Sequence, residues 1–149
     1  MNLEDLNTSL RTDIPLFAVM GLEVIAASDS SVSVRIPIES NLNDKGTLFA
    51  GSSYSALVLA GWTLAMCRAQ SSGFERPWAA VVDAHVHYAK AIRETVVATA
   101  SFLEEPHLVP GERNWAKIQV VVDDPESVTG ASRPGLLAFE GTYAVGVKK

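Results

Sequence analysis

The chain predicts an α+β fold, a curled antiparallel sheet wrapped around one long central helix with a short helix at its N-terminus. Three observations lead there. Residues 52–67 carry no charge, and their apolar side chains cover every side of a helix, so that helix must be buried. On both sides of it lie segments of strand length, rich in Val, Ile, Thr and aromatic residues. The later of these follow one another through connections too short for crossover helices, which makes the pairing antiparallel. The 149 residues, with 48% hydrophobic and 19% charged, fit a single domain over 1–149 with a proper core.

Leu3, Leu6 and Leu10 recur at helical spacing and define the first helix. Ile14-Pro15 interrupts it, and a further turn over 16–20 stops at Gly21. Residues 22–27 and 32–38 read as strands of a hairpin around Ser28-Asp29-Ser30. A polar loop then passes through Asn41, Asn43, Gly46 and Gly51 into the central helix, where Ser52 or Ser53 is expected to cap the first turn with its hydroxyl. Gly61 costs about 1 kcal/mol against alanine in mid-helix, which implies the close approach of a strand or a ligand. Residues 70–77 form a polar linker. Strands follow at 78–89, 95–102, 115–122 and 136–147, separated by a Pro- and Gly-containing loop over 104–112 and a turn-rich connection over 123–135.

Several function classes fall away on composition. A net charge of −5 argues against nucleic acid, which needs a basic face. The single cysteine, Cys67, excludes an internal disulfide framework and reads as a buried apolar residue. No P-loop, dinucleotide fingerprint or G-x-S-x-G elbow is present. The first residues are acidic and lack a basic stretch followed by an apolar run, so a cytoplasmic location is expected, with no membrane span.

Two segments carry a resemblance. Asn43-Asp44-Lys45-Gly46-Thr47-Leu48-Phe49-Ala50-Gly51 resembles the N-x-x-G-x-x-H-G-G loop of the hotdog-fold thioesterases. Val82-Asp83-Ala84-His85-Val86-His87-Tyr88-Ala89-Lys90-Ala91-Ile92 resembles the strand that follows their central helix, ending in an aromatic and a bend. Within that superfamily the chain is most similar to the thioesterase domain at the C-terminus of YiiD-like acetyltransferases. The resemblance spans nearly the whole chain. It implies a hotdog fold, an acyl-CoA or acyl-carrier substrate, no cofactor, and a homodimer or tetramer with sites at the subunit interface. Phe49 stands where the family has its loop histidine, and Ala50 replaces its first glycine. No acidic residue lies between Ser52 and Cys67, where many relatives carry a catalytic carboxylate.

Thioester hydrolysis needs a polarised carbonyl and an activated water. Amides at Gly51 and Ser52 open the helix, where free donors and the positive dipole end coincide. Asn43 can orient a water. Asp83, His85 and His87 share one face of their strand, and Asp83 with His85 is the expected proton-handling pair. Phe49 and Tyr54 are expected to line the substrate pocket with Ser52, and Lys90 and Arg93 to meet coenzyme A phosphates. A zinc site on His85 and His87 lacks a clear third ligand, so no metal is expected. The missing helix acid also leaves open a module that binds an acyl thioester without cleaving it.

Overall fold

The computed structural model describes residues 2–124 and 135–148. Two short helices, α1 (Leu3–Asp13) and α2 (Pro15–Val19), lead into the hairpin of β1 (Glu23–Ala27) and β2 (Ser31–Ile36). The central helix α3 (Ala50–Ser71) follows, and then β3 (Pro77–Tyr88), β4 (Val96–Phe102), β5 (Asn114–Val122) and β6 (Leu137–Val147). The expected turn-rich connection over 123–135 lies mostly outside the described residues.

All six strands join one sheet in the order β1-β2-β4-β5-β6-β3, and every pairing is antiparallel. The sheet curls around α3, which packs against β2, β3, β4, β5 and β6. Alternation builds the contact: Val32, Val34 and Ile36 of β2 are buried, as are Ala116, Ile118, Val120 and Val122 of β5. They meet Ala56, Leu57, Ala60 and Leu64 on the sheet-facing side of α3.

Gly61 faces Tyr143 of β6. A Cβ at position 61 would collide with the Tyr143 hydroxyl. That phenol is fully buried and donates to the Val58 carbonyl at 2.9 Å. Burial, with a smaller contribution from Tyr54, pushes its pKa well above the ordinary value, so it stays a neutral donor. The close approach implied by the mid-helix glycine is that of a strand.

The helix is not buried on all sides. Val58, Leu59, Trp62 and Met66 are half-buried, and Trp62 reaches the edge of the sheet, where its Nε1 donates to Ala79 O of β3 at 2.9 Å. The wholly apolar pattern therefore overstates what one chain wraps.

The two sheet edges differ. On β1, Val24 turns both backbone groups outward, and the buried Asn7 of α1 meets them: its Nδ2 donates to Val24 O at 2.8 Å and its Oδ1 accepts from Val24 N at 2.8 Å. That edge is closed by a side chain that imitates a strand. The outer edge of β3, 12 residues long, has no strand beside it among the described residues. An uncovered edge of that length is a template for pairing with another chain. No helix of the described residues is long and apolar enough to cross a membrane.

Candidate active site

The loop before α3 is held by its own asparagines. Asn43 Oδ1 accepts from Lys45 N at 2.9 Å and Thr47 N at 3.0 Å, and its Nδ2 donates to Thr47 Oγ1 at 2.8 Å. Gly46, at φ 69°, makes the turn. Asn41 is buried, and its Nδ2 donates to Met20 O and Pro37 O at 2.9 and 2.7 Å. Phe49 N donates to Asn41 O at 2.8 Å, and Leu48 N to Ile92 O at 2.8 Å. These bonds aim the chain into the first turn of α3.

Phe49 is the N-cap of that helix and makes no side-chain cap. Of the two expected capping serines, Ser53 bonds backward instead, as does Ser55 further on. Ser53 Oγ donates to Phe49 O at 3.1 Å, and Ser55 Oγ donates to Gly51 O at 2.9 Å. Helix formation starts at Ala50, three residues earlier than a cap at Ser52 requires, so these hydroxyls lie above the carbonyls one turn back. The first amide with a backbone acceptor is Ser53 N, bonded to Phe49 O at 2.9 Å. The N–H groups of Ala50, Gly51 and Ser52 have no backbone acceptor among the described residues. Phe49 folds its exposed ring over this turn, and a Cβ at Gly51 would stand 2.5 Å from it.

A recess of about 280 Å³ lies beside the turn, lined by Asn43, Leu48, Ala50, Ser53, Tyr88 and Lys90 among others. Tyr88 reaches across it from the end of β3 and donates its hydroxyl to Ala50 O at 3.0 Å. Desolvation, then Tyr54, raises the Tyr88 pKa, which keeps the phenol a donor. The sequence expectations did not assign Tyr88 a role; the aromatic that ends the motif strand was its only signal.

Asp83 and His85 are not brought to this recess within the chain. The pairing of β3 with β6 shifts between Val81 and Asp83, a bulge at Val82. Before it, Ala79 and Val81 lie opposite Val145 and Tyr143, which point to the core. After it, Asp83 and His85 lie opposite Thr142 and Glu140 on the outer face, while Ala84 and Val86 turn inward. The extra residue reverses the alternation. Asp83, His85 and His87 do share a face, and it is the one away from α3. Asp83 and His85 instead line a small outer cluster with Lys117 and Glu140.

The remaining candidates are spread. Tyr54 is partly exposed and meets Phe139 edge-on, with ring centroids 6.2 Å apart. Ser52 is half-buried on the first turn. Lys90 lines the recess and pairs with Asp124 at 2.7 Å, while Arg93 is exposed beyond it. Among the described residues no carboxylate or imidazole lines the recess. Cys67 lies far along the helix, and burial raises its thiol pKa, so it is no ready nucleophile.

A family model described as "Putative thioesterase (yiiD_Cterm)" matches residues 3–146. A solved "putative thioesterase" from Shewanella oneidensis is 23% identical, with a TM-score of 0.78 over 98% of this chain and 97% of that one. A protein of unknown function from Chlorobaculum tepidum is 20% identical, with a TM-score of 0.79 over 97% and 94%. A thioesterase from Haemophilus influenzae is 17% identical, with a TM-score of 0.76 over 97% and 90%. At these identities the structural likeness establishes the hotdog fold.

Proposed function

The chain belongs to the thioesterase family whose model it matches over residues 3–146, and on that premise we propose that it hydrolyses an acyl-CoA or acyl-carrier thioester at the N-terminus of α3. The observation that carries this reading is the unbonded first turn: three backbone N–H groups lack a backbone acceptor there, and the first of the three residues, Ala50, lines a recess that Tyr88 closes on one side. As water attacks, the carbonyl oxygen becomes an oxyanion. Amides of Gly51 and Ser52 then donate to it, helped by the helix dipole. Preorganised donors of this kind are each worth roughly 100- to 1,000-fold in turnover. Asn43 spends one amide hydrogen on Thr47, and its second is available to hold water or substrate.

The water's proton needs an acceptor. Among the described residues none lines the recess, and a second copy is the proposed source of the acceptor. Two features support a homodimer: the open edge of β3, with Val81 and Val82 exposed, and the half-buried Val58 and Leu59 of α3. Lys90 lines the recess and, with the exposed Arg93 three residues on, is the candidate to meet phosphate. The expected setting is cytoplasmic, without nucleic acid or membrane.

The absent base favours one other reading, a domain that binds an acyl thioester without cleaving it. Incubation with acyl-CoAs from acetyl to palmitoyl, followed by free thiol, separates the two. Chain-length-dependent release supports the hydrolase. Tight binding with no thiol release supports the binding module.

A further inference from the structure

A second cleft, of about 290 Å³, lies between α1 and the C-terminal half of α3. It begins at Trp62, 11 residues beyond Gly51 and so roughly 16 Å along the helix from the recess. Its interior is apolar, built from Leu6 and Leu10 of α1 with Trp62 and Met66 of α3. Two of its polar side chains are already engaged. Trp62 Nε1 donates to Ala79 O at 2.9 Å, and Thr63 Oγ1 donates to Leu59 O at 2.8 Å. A chain entering between these side chains meets mainly hydrocarbon, with Cys67 and Gln70 also on the wall.

The mouth is charged. Arg76 precedes β3 and Lys148 follows β6, and the two are held side by side. Lys148 N donates to Arg76 O at 2.8 Å, and the Arg76 guanidinium donates to Lys148 O at 3.4 Å. Like charges on neighbouring strands repel. Neither side chain has an ion-pair partner among the described residues. Asp13 also stands at the cleft and accepts from Ser9 Oγ at 3.2 Å, which leaves two cations against one carboxylate. An apolar interior under an excess of positive charge matches an amphiphile with an anionic head.

We propose that this cleft binds a medium-chain fatty carboxylate, its tail between α1 and α3 and its head on Arg76 and Lys148. Taking about 30 Å³ per non-hydrogen atom, the volume holds on the order of ten, which is the size of octanoate. The site stands apart from the recess at Gly51 and does not rest on the thioester reading, although a fatty carboxylate is what that reaction releases.

Calorimetric titration of the intact protein with octanoate tests it. One octanoate binds per chain, and octan-1-ol binds at least tenfold more weakly. Arg76→Ala with Lys148→Ala raises the octanoate Kd at least tenfold, and Ser9→Trp, which plugs the mouth, removes binding. All three positions are exposed, so these variants keep the fold. Asn43→Ala, which alters the recess, leaves the Kd unchanged. Absence of saturable binding overturns the proposal, as does a Kd indifferent to both cleft variants. Loss of binding in Asn43→Ala also overturns it by moving the site to the recess. Failure of the thiol-release assay leaves this test intact.

Discussion

Replacing Gly61 with alanine places a methyl group where the Tyr143 phenol already lies. In an open helix the exchange would stabilise by about 1 kcal/mol. Here the phenol is wholly buried and tied to Val58 O, so it cannot swing aside without losing that bond. Overpacking costs about 1–3 kcal/mol and the lost bond about 1 kcal/mol. The balance is a destabilisation of about 2 kcal/mol. For a chain of this length that lowers Tm by roughly 4–8 °C. Tyr143→Phe alone costs about 1 kcal/mol. It also removes the atom nearest the new methyl, so Gly61→Ala costs less in the Phe background, by at least about 1 kcal/mol. Thermal unfolding of the four proteins at one fixed concentration measures the cycle. A higher Tm for Gly61→Ala, or strict additivity across the cycle, refutes the packing argument.

Four further outcomes follow from the same geometry. Because burial raises the Tyr143 pKa in the folded protein, its contribution is intact below the ordinary phenol value near pH 10 and is lost as pH rises above it; Tm measured from pH 8 to 11.5 falls at the alkaline end, and falls less in Tyr143→Phe. His85→Ala and Asp83→Ala leave kcat/KM within about twofold, since both side chains point away from the recess; a hundredfold loss in either would place them in the chemistry across an interface. Tyr88→Phe keeps the fold and lowers kcat about tenfold with little change in KM, because the hydroxyl, bonded to Ala50 O, fixes the first turn of α3 beside the reacting carbonyl; unchanged turnover would remove Tyr88 from the site. Val82→Asp charges the open edge of β3 and yields monomer by light scattering, with loss of turnover; an unchanged mass would show that this edge is not the seam.

The charge-free run over 52–67 could only become a buried helix, and the alternating segments around it could only become strands, so the sequence alone settled the architecture. Periodicity constrains one element at a time, which is why the hairpin, the central helix and the interrupting Pro15 were all legible. The site was legible only in part. Glycines and asparagines before α3 announced a tight loop because those residues carry their own turn chemistry, and the loop is built on Asn43 and Gly46 as expected. What Asp83 and His85 face was not legible, because a period of two says which residues share a side and not which side meets the helix. The bulge at Val82 decided that, and a bulge is a property of the β3–β6 register. The same holds for Ser53, whose hydroxyl missed the cap because the helix begins at Ala50, and for the stripe of α3 left half-covered by a sheet that runs out at β3. Asn7 closing one sheet edge, and Arg76 beside Lys148 at the mouth of a cleft, join residues distant in sequence. Contacts between distant residues form only when elements pack, so the chain's local patterns carry no trace of them and the tertiary structure alone decides them.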